Sequence, residues 1–467
     1  MNAGESDRIK VLRDGRAVHK GTGATEPRSL QRKHVPERRF GNNVPTTLQG
    51  IADKAKKSKK HKFQNLYQIL NHEFLRECFL DLKKKAAPGV DKVDFYEYQQ
   101  NLEENLASLV NRLKEGAYRA KLLRRKFILK SNGKLRALGI PCIEDKIVQA
   151  GVARILSAIY ESDFLDCSYG YRPSRGAKEG TGKLTQALQF GSYEWVMEAD
   201  IQGFFDNIDH DWLMKMLAER IGDRKLLRLI KKWLKAGILD PSGQVIDPIS
   251  GTPQGGTVSP IMANIYLHYA LDLWFEKIVR PSCKGSARII RYADDFVCAF
   301  QYHQEAKKFY RELGKRLSKF TLTLAPEKTR ILRFSRLQVD GECFDFLGFE
   351  FRWGKNRKGK PQVWRTTARK KFKAAIQNFT IWIKKSRHFG NPEIFQTLKL
   401  KYQGYWNYFG VIGNSKRLGV FYYITIGILF KWLNRRSQRR SYNWASLKEA
   451  LVRYKIPGPR IVEKWAA

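Results

Sequence analysis

The stretch RIIRYADDFVCAF, residues 288–300, sets Asp294 and Asp295 side by side between two apolar, β-forming runs. Like charges that close repel each other and raise a pKa, so folding gains nothing from the pair by itself. A bound divalent cation reverses that sign, because its charge rewards clustered carboxylates. Asp200 supplies a third, at the end of the apolar run YEWVMEADI, residues 193–201. Three carboxylates delivered by strand ends could hold two Mg2+ ions, with Mn2+ as a substitute. One ion would lower the pKa of an attacking hydroxyl and the other would stabilise a leaving phosphate oxygen. Asp206 and Asp209 could also be ligands, but positions at a helix start explain them more simply.

These side chains need elements to carry them. Residues 289–292 and 296–300 are expected as the arms of a hairpin, with Ala293, Asp294 and Asp295 at or beside its turn. Residues 193–201 read as a buried strand, and NIDHDWLMKMLAERI after it as a helix capped by Asp209. Further upstream, Ile147/Val148, Gly151/Val152, Ile155/Leu156 and Ile159/Tyr160 recur every four residues, the mark of a helix with one buried face. The irregular alternation of strands and helices predicts an α+β fold, a small antiparallel sheet with helices on one side.

A chain of 467 residues with 43% hydrophobic content can bury two or three cores. Its 87 Lys and Arg against 45 acids leave +42, an excess that calls for an anionic partner. Nucleic acid comes first, since its phosphates reward many spread cations. An anionic membrane surface is the competitor, but the apolar run 420–430 is shorter than the ~20 residues a span needs, so no membrane partner is expected. Six scattered cysteines without a C-x-x-C pair argue for a reducing compartment and against a zinc module. The opening MNAGESDRIKVLRDGRAV lacks the apolar core of a secretion signal, which predicts an intracellular protein.

Along the chain, residues 1–60 form a basic extension ending in KAKKSKK, read as a solvated tail or as an arm that orders on nucleic acid. The Gly, Lys and Pro cluster RWGKNRKGKPQ, residues 352–362, predicts a boundary between a globular region at 61–355 and a helical region at 356–467. Residues 361–467 hold 22 Lys and Arg against Glu393, Glu449 and Glu463, a net of +19, interleaved with aromatics. Basic and aromatic residues together suit backbone contact and stacking on nucleic acid, although most of the aromatics are expected to pack the module's own core.

The ordered blocks APGVD (87–91), KFILKSNGKLRALGIP (126–141), YGYRPSRGA (169–177), ADIQGFFDNID, GTPQGGTVSPIMANIYLH, YADD and FDFLGFEF resemble those of reverse transcriptases encoded by group II introns. KYQGYWNYFG, residues 401–410, is similar to the thumb or maturase region of the same family. The resemblance implies a right-hand polymerase with fingers and palm at 61–355 and a helical thumb/maturase region after it. It assigns catalysis to Asp200, Asp294 and Asp295, and metal binding to these three and Ile201, with Asp294 the direct ligand and Asp295 in support. Lys130 and Arg136, flanking a turn, match the positions that grip an incoming triphosphate. Phe205 matches the aromatic that blocks a ribose 2′-OH, with Phe204 the neighbouring alternative, and Gln254 and Gly255 match a loop that approaches the nascent base pair. Arg365, Lys370, Lys384, Lys385, Lys401, Tyr405, Trp406, Arg435 and Arg436 are the expected nucleic-acid contacts of the C-terminal region. The implied partners are group II intron RNA, an RNA template with its DNA primer, target DNA and dNTPs, for template-directed DNA synthesis, splicing assistance and retrohoming.

Two other readings share these motifs: an RNA-binding splicing factor with a vestigial polymerase site, and a domesticated reverse transcriptase in phage defence or DNA repair. The clustered charges at 200, 294 and 295 count against the first, and the YWNYFG region against the second. A Cys- and His-rich endonuclease segment is not found before Ala467, so cleavage of the target strand is not expected. Neither a Walker A loop nor an H-E-x-x-H helix occurs, which removes those enzyme classes.

Overall fold

A computed structural model describes residues 46–129, 133, 135–338, 341–436, 438 and 441–463. Of the basic extension expected over residues 1–60, residues 1–45 lie outside these and the remainder is corrected: Thr46–Lys57 is a helix that buries Leu48 and Ala55 in the main core, a one-sided apolar pattern that its lysines mask in the composition. Its eleven described strands are β1 (Leu123–Leu129), β2 (Leu135–Ile140), β3 (Trp195–Asp200), β4 (Ile238–Leu239), β5 (Val245–Ile246), β6 (Ala287–Tyr292), β7 (Asp295–Phe300), β8 (Arg330–Arg333), β9 (Phe344–Phe346), β10 (Phe349–Lys355) and β11 (Pro361–Thr367). They form three sheets, ordered β2-β1-β4-β5, β6-β7-β3-β8 and β11-β10-β9. The middle sheet is antiparallel throughout, whereas β1 and β4 run parallel in the first.

Alternation along the middle sheet explains its place in the core. Met197, Ala199, Phe296, Cys298 and Phe300 pack into the main core with the helices, while Val196, Val297 and Ala299 turn to the opposite face. There they meet Leu184 and Leu188 of the helix Ala177–Phe190 and Phe344, Phe349 and Phe351 of the third sheet. Both faces of β7 are thus covered, and its unbroken apolar run Phe296–Phe300 follows from that. The helix over residues 147–160 extends from Ile143 to Tyr160 and buries all eight residues of the periodic pairs.

The stretch 352–362, expected to separate the globular region from the helical one, is spanned by the hairpin β10/β11, whose Phe349↔Thr367 to Lys355↔Pro361 register is continuous. Glycine, lysine and proline cluster there because a hairpin tip needs turn residues, which a linker also favours. After β11 come the helices Arg369–Ser386, Asn391–Phe409, Ser415–Leu433 and Trp444–Arg453, packed around Phe379, Phe395, Tyr402, Trp406, Phe421 and Leu429. Residues 420–430 lie in the third of these helices, and among the described residues no helix is long and apolar enough to cross a membrane.

Candidate active site

The aspartate pair sits where β6 turns into β7. Tyr292 pairs with Asp295, leaving Ala293 and Asp294 as a two-residue turn. Ala293 takes φ +57, a left-handed conformation that a residue with a Cβ adopts at a cost. Arg291 holds it there. Its side chain is 0% exposed, and its guanidinium donates to the Ala293 carbonyl at 3.0 Å, to Asn264 Oδ1 at 3.1 Å, to Ser168 Oγ at 2.8 Å and to both oxygens of Asp272, itself fully buried. All five donors are satisfied, which a planar fork allows and a lysine does not. Asp272 closes a π-helical turn, His268–Asp272, that continues the helix Ser259–Leu267. Behind the turn lies Gly170, where a Cβ would come within 2.5 Å of the Ala293 nitrogen, so only glycine permits this approach.

Antiparallel register places Asp200, the last residue of β3, opposite Asp295, the first of β7. The chain after Asp200 is tied down, since Ala325 N donates to the Asp200 carbonyl at 2.9 Å and Gln202 N to the Thr323 carbonyl at 2.8 Å. Burial, then the neighbouring Asp200 charge, raise the Asp294 carboxyl above its ordinary value, and Arg136 and Lys328 pull it back. Burial, with the charges of Asp294, Asp200 and Glu198, pushes Asp295 up to about 7. Asp200 instead forms an ion pair with the Lys328 ammonium.

Among the described residues no three carboxylate, histidine or cysteine side chains close into a ready metal cage, because Asp200 is turned onto Lys328 and the other two repel. The donor set fits Mg2+ all the same: it is all oxygen, it is electrostatically uncomfortable without a cation, and a lysine already stands as Asp200's counter-charge. Ile201 is 2% exposed, so its side chain faces the core and its main chain alone could reach such an ion.

The loop after Ser250 joins this turn region to the first sheet. Thr252 N donates to the Phe205 carbonyl and Gly251 N to the Ile208 carbonyl, both at 2.8 Å, while Gly139 N of β2 donates to the Gln254 carbonyl at 3.0 Å. Gly255 has φ +123, and a Cβ on it would meet the Gly139 carbonyl oxygen at 2.9 Å, so strand and loop touch through their backbones. Phe204 is buried in the main core and Phe205 half-buried, with their rings edge to face at 5.4 Å. Asp209 caps the helix His210–Ala218, accepting from Trp212 N at 2.8 Å, and so has a folding role. Arg136 is exposed on β2, and Lys130 lies outside the described residues.

The C-terminal residues divide. Arg365 is corrected: it is 3% exposed, pairs with Glu463 and donates to Thr181 Oγ1 at 2.9 Å, because a guanidinium between sheet and helix needs a carboxylate there. Trp406 is corrected too, fully buried with its indole N–H donating to the Pro457 carbonyl at 3.1 Å. Tyr405 stacks on Phe421 at 3.8 Å inside the module, and half-buried Arg436 donates to Asn391 Oδ1 at 2.6 Å, so both serve packing. Lys370, Lys384, Lys385, Lys401 and Arg435 are exposed. Lys384, Arg387 and Arg435 gather over the ring of Trp432 at 5.8, 5.4 and 5.7 Å. Arg365→Met is accordingly expected to lower stability in urea denaturation by about 3 kcal/mol. Lys384→Gln should stay within about 0.5 kcal/mol of the unmutated protein and weaken RNA binding instead.

Two residues escaped the sequence reading. Arg291 left a signal, an arginine directly after the apolar pair Ile289–Ile290 and out of alternation with Arg288, which demands a buried partner. Lys328 left none, since a lysine in APEKTR looks like any surface charge.

A family model described as "Reverse transcriptase (RNA-dependent DNA polymerase)" matches residues 128–351. The group II intron-encoded protein LtrA of Lactococcus lactis subsp. cremoris is 37% identical over 251 residues, 51% of this chain and 41% of that protein, so the chain spans about two fifths of its length. Protein YkfC of Escherichia coli (strain K12) is 33% identical over 361 residues, 70% of this chain and 93% of that one. An apo telomerase structure from Candida tropicalis covers 54% of this chain at 14% identity, with a TM-score of 0.40 that is too low to compare folds. The extent of the match to YkfC, the likeness to an intron-encoded protein and the reverse transcriptase model over β2, β3, β6 and β7 together place this chain in the family of group II intron reverse transcriptases and maturases.

Proposed function

We propose that this chain is an RNA-directed DNA polymerase working at Asp200, Asp294 and Asp295. The observation that carries the reading is the pairing of Asp200 with Asp295 across neighbouring strands, with Asp294 on the clamped turn beside them. The 3′-OH of a DNA primer on an RNA template attacks the α-phosphorus of a dNTP. A new P–O bond to the primer forms, the hydroxyl proton passes to water, the bond from the α-phosphorus to the bridging oxygen breaks, and pyrophosphate leaves. Asp200, Asp294 and the Ile201 carbonyl, with Asp295 in support, would hold two Mg2+ ions, which when bound supply positive charge to the attacking and leaving oxygens. Arg291 holds the turn that carries Asp294, Lys328 balances Asp200, and Arg136 with Lys130 would grip the triphosphate. Gln254 and Gly255 would lie along the nascent pair, and Phe205 under the sugar.

Primer extension on poly(rA)/oligo(dT) tests this. DNA synthesis should appear with Mg2+, vanish with a chelator and return on adding Mg2+ in excess; a protein that never extends the primer overturns the reading. Phe205→Ala should raise incorporation of ribonucleotides relative to deoxynucleotides by about tenfold or more, read from parallel reactions, since a 2′-OH would no longer meet the ring.

The same chain is proposed to bind group II intron RNA, assist its splicing and copy it at a DNA target. The exposed cations of the C-terminal helices and the likeness to a protein named as intron-encoded support this role.

A further inference from the structure

The helix Arg224–Leu234 is divided sharply between two faces. Leu226, Leu229, Ile230, Trp233 and Leu234 are buried in the main core. Arg224, Lys225, Arg228, Lys231 and Lys232, followed by Lys235 at the C-cap, are all exposed, and the helix has no acidic residue. Among the described residues none of the six has a carboxylate in ion-pair range. The nearest acid in sequence, Asp223, is committed to capping: it accepts from Lys225 N at 2.9 Å, Leu226 N at 3.1 Å and Tyr67 N at 2.8 Å. Among the described residues, Lys232 alone of the six has a protein acceptor, the Tyr118 carbonyl at 2.7 Å.

Folding accounts for only part of this face: Lys231, Lys232 and Lys235 suit the negative end of the helix dipole, but the rest is unfavourable. Arg224/Arg228, Arg228/Lys232 and Lys231/Lys235 are like charges at i,i+4, and Arg228/Lys231 at i,i+3, each of which destabilises a helix. Arg224 and Lys225 also sit in the first turn, where the helix dipole disfavours cations. A row of phosphates changes the sign of every one of these terms. Six cations along a helix of roughly 16 Å present a continuous positive strip of the kind a nucleic-acid backbone fits.

We propose that this face binds the sugar–phosphate backbone of folded RNA at a surface separate from the polymerase site. The helix lies against the segment at Tyr118, whose hydroxyl accepts from Trp233 Nε1 at 3.0 Å and whose carbonyl accepts from Lys232, whereas Asp200, Asp294 and Asp295 sit at the end of β3 and on the β6/β7 turn. The inference rests on the reading of the chain as an RNA-binding polymerase and adds where RNA outside the template cleft is held. Phosphate contact is sequence-independent, so the strip reads shape and charge rather than bases.

The test combines Arg224→Gln, Arg228→Gln, Lys231→Gln and Lys235→Gln in the full chain. Binding to a folded RNA transcript several hundred nucleotides long is measured over a KCl series, beside primer extension on poly(rA)/oligo(dT). Affinity for the transcript should fall about tenfold or more, and the slope of log K against log salt should shrink by about 2 to 4, with roughly 0.7–0.9 lost per phosphate contact. Extension of the short duplex should stay within about twofold. The exposed positions keep the fold, which a thermal melt verifies, and Arg224→Lys with Arg228→Lys should retain both affinity and slope. An unchanged slope and affinity overturn the proposal. So does a parallel loss of extension, which would put the strip inside the template cleft, or lost binding to phosphatidylserine vesicles with RNA binding intact, which would make it a lipid surface. If the unmutated protein extends no primer while the slope still shrinks, the polymerase reading fails and this surface stands.

Discussion

Asp294→Ala is expected to abolish primer extension, with a loss of about a thousandfold or more, and to leave the melting temperature unchanged or higher. The two outcomes have one cause. Burial and the charge of Asp200 hold the Asp294 carboxyl above its ordinary value, so without a cation the ionised group opposes folding. Removing it relieves that opposition and at the same time removes a carboxylate proposed above to hold Mg2+. RNA binding should persist, because the exposed cations of the C-terminal helices and of the helix Arg224–Leu234 are untouched. Parallel thermal melts, RNA binding and extension of poly(rA)/oligo(dT) separate these effects. A large fall in melting temperature would instead make Asp294 a structural residue.

Arg291→Met should do the reverse, lowering stability first and activity as a consequence. The substitution leaves Asp272 fully buried without its partner and strips the acceptors at Ala293, Asn264 and Ser168, a change that costs about 3–5 kcal/mol. Adding Asp272→Leu should restore some of that loss, because no uncompensated charge then remains, and a double-mutant cycle in urea reads the coupling directly. Activity should stay low in the double variant, since nothing then holds the left-handed turn at Ala293. Additive losses would show that the pair does not act as a unit.

These two positions show what could be read from the sequence. The hairpin at Ala293 and Asp294, the strand ending at Asp200 and the cap at Asp209 were legible, because local pattern and turn chemistry decide them. The sequence set both aspartates at or beside the turn; in the structure Asp294 lies on it and Asp295 opens β7. The clamp was not legible, since it joins residues 168, 264, 272 and 291 through contacts that no periodicity records. Arg365 and Trp406 misled for a related reason. Basic and aromatic residues serve nucleic-acid contact and buried networks alike, and only the position of Glu463 and Pro457 in space distinguishes the two. The Gly- and Lys-rich tip of β10/β11 shows the same ambiguity, as a hairpin turn and an interdomain linker draw on one set of residues.

The most direct test of the central claim is a single series of primer extensions on poly(rA)/oligo(dT) with Mg2+, comparing the unmutated protein with Asp200→Asn, Asp294→Asn and Asp295→Asn. The proposed roles predict synthesis by the unmutated protein, none by the first two variants, and a residual rate in Asp295→Asn, whose carboxyl is proposed to support the site from the start of β7. Synthesis by Asp294→Asn at the unmutated rate would contradict them.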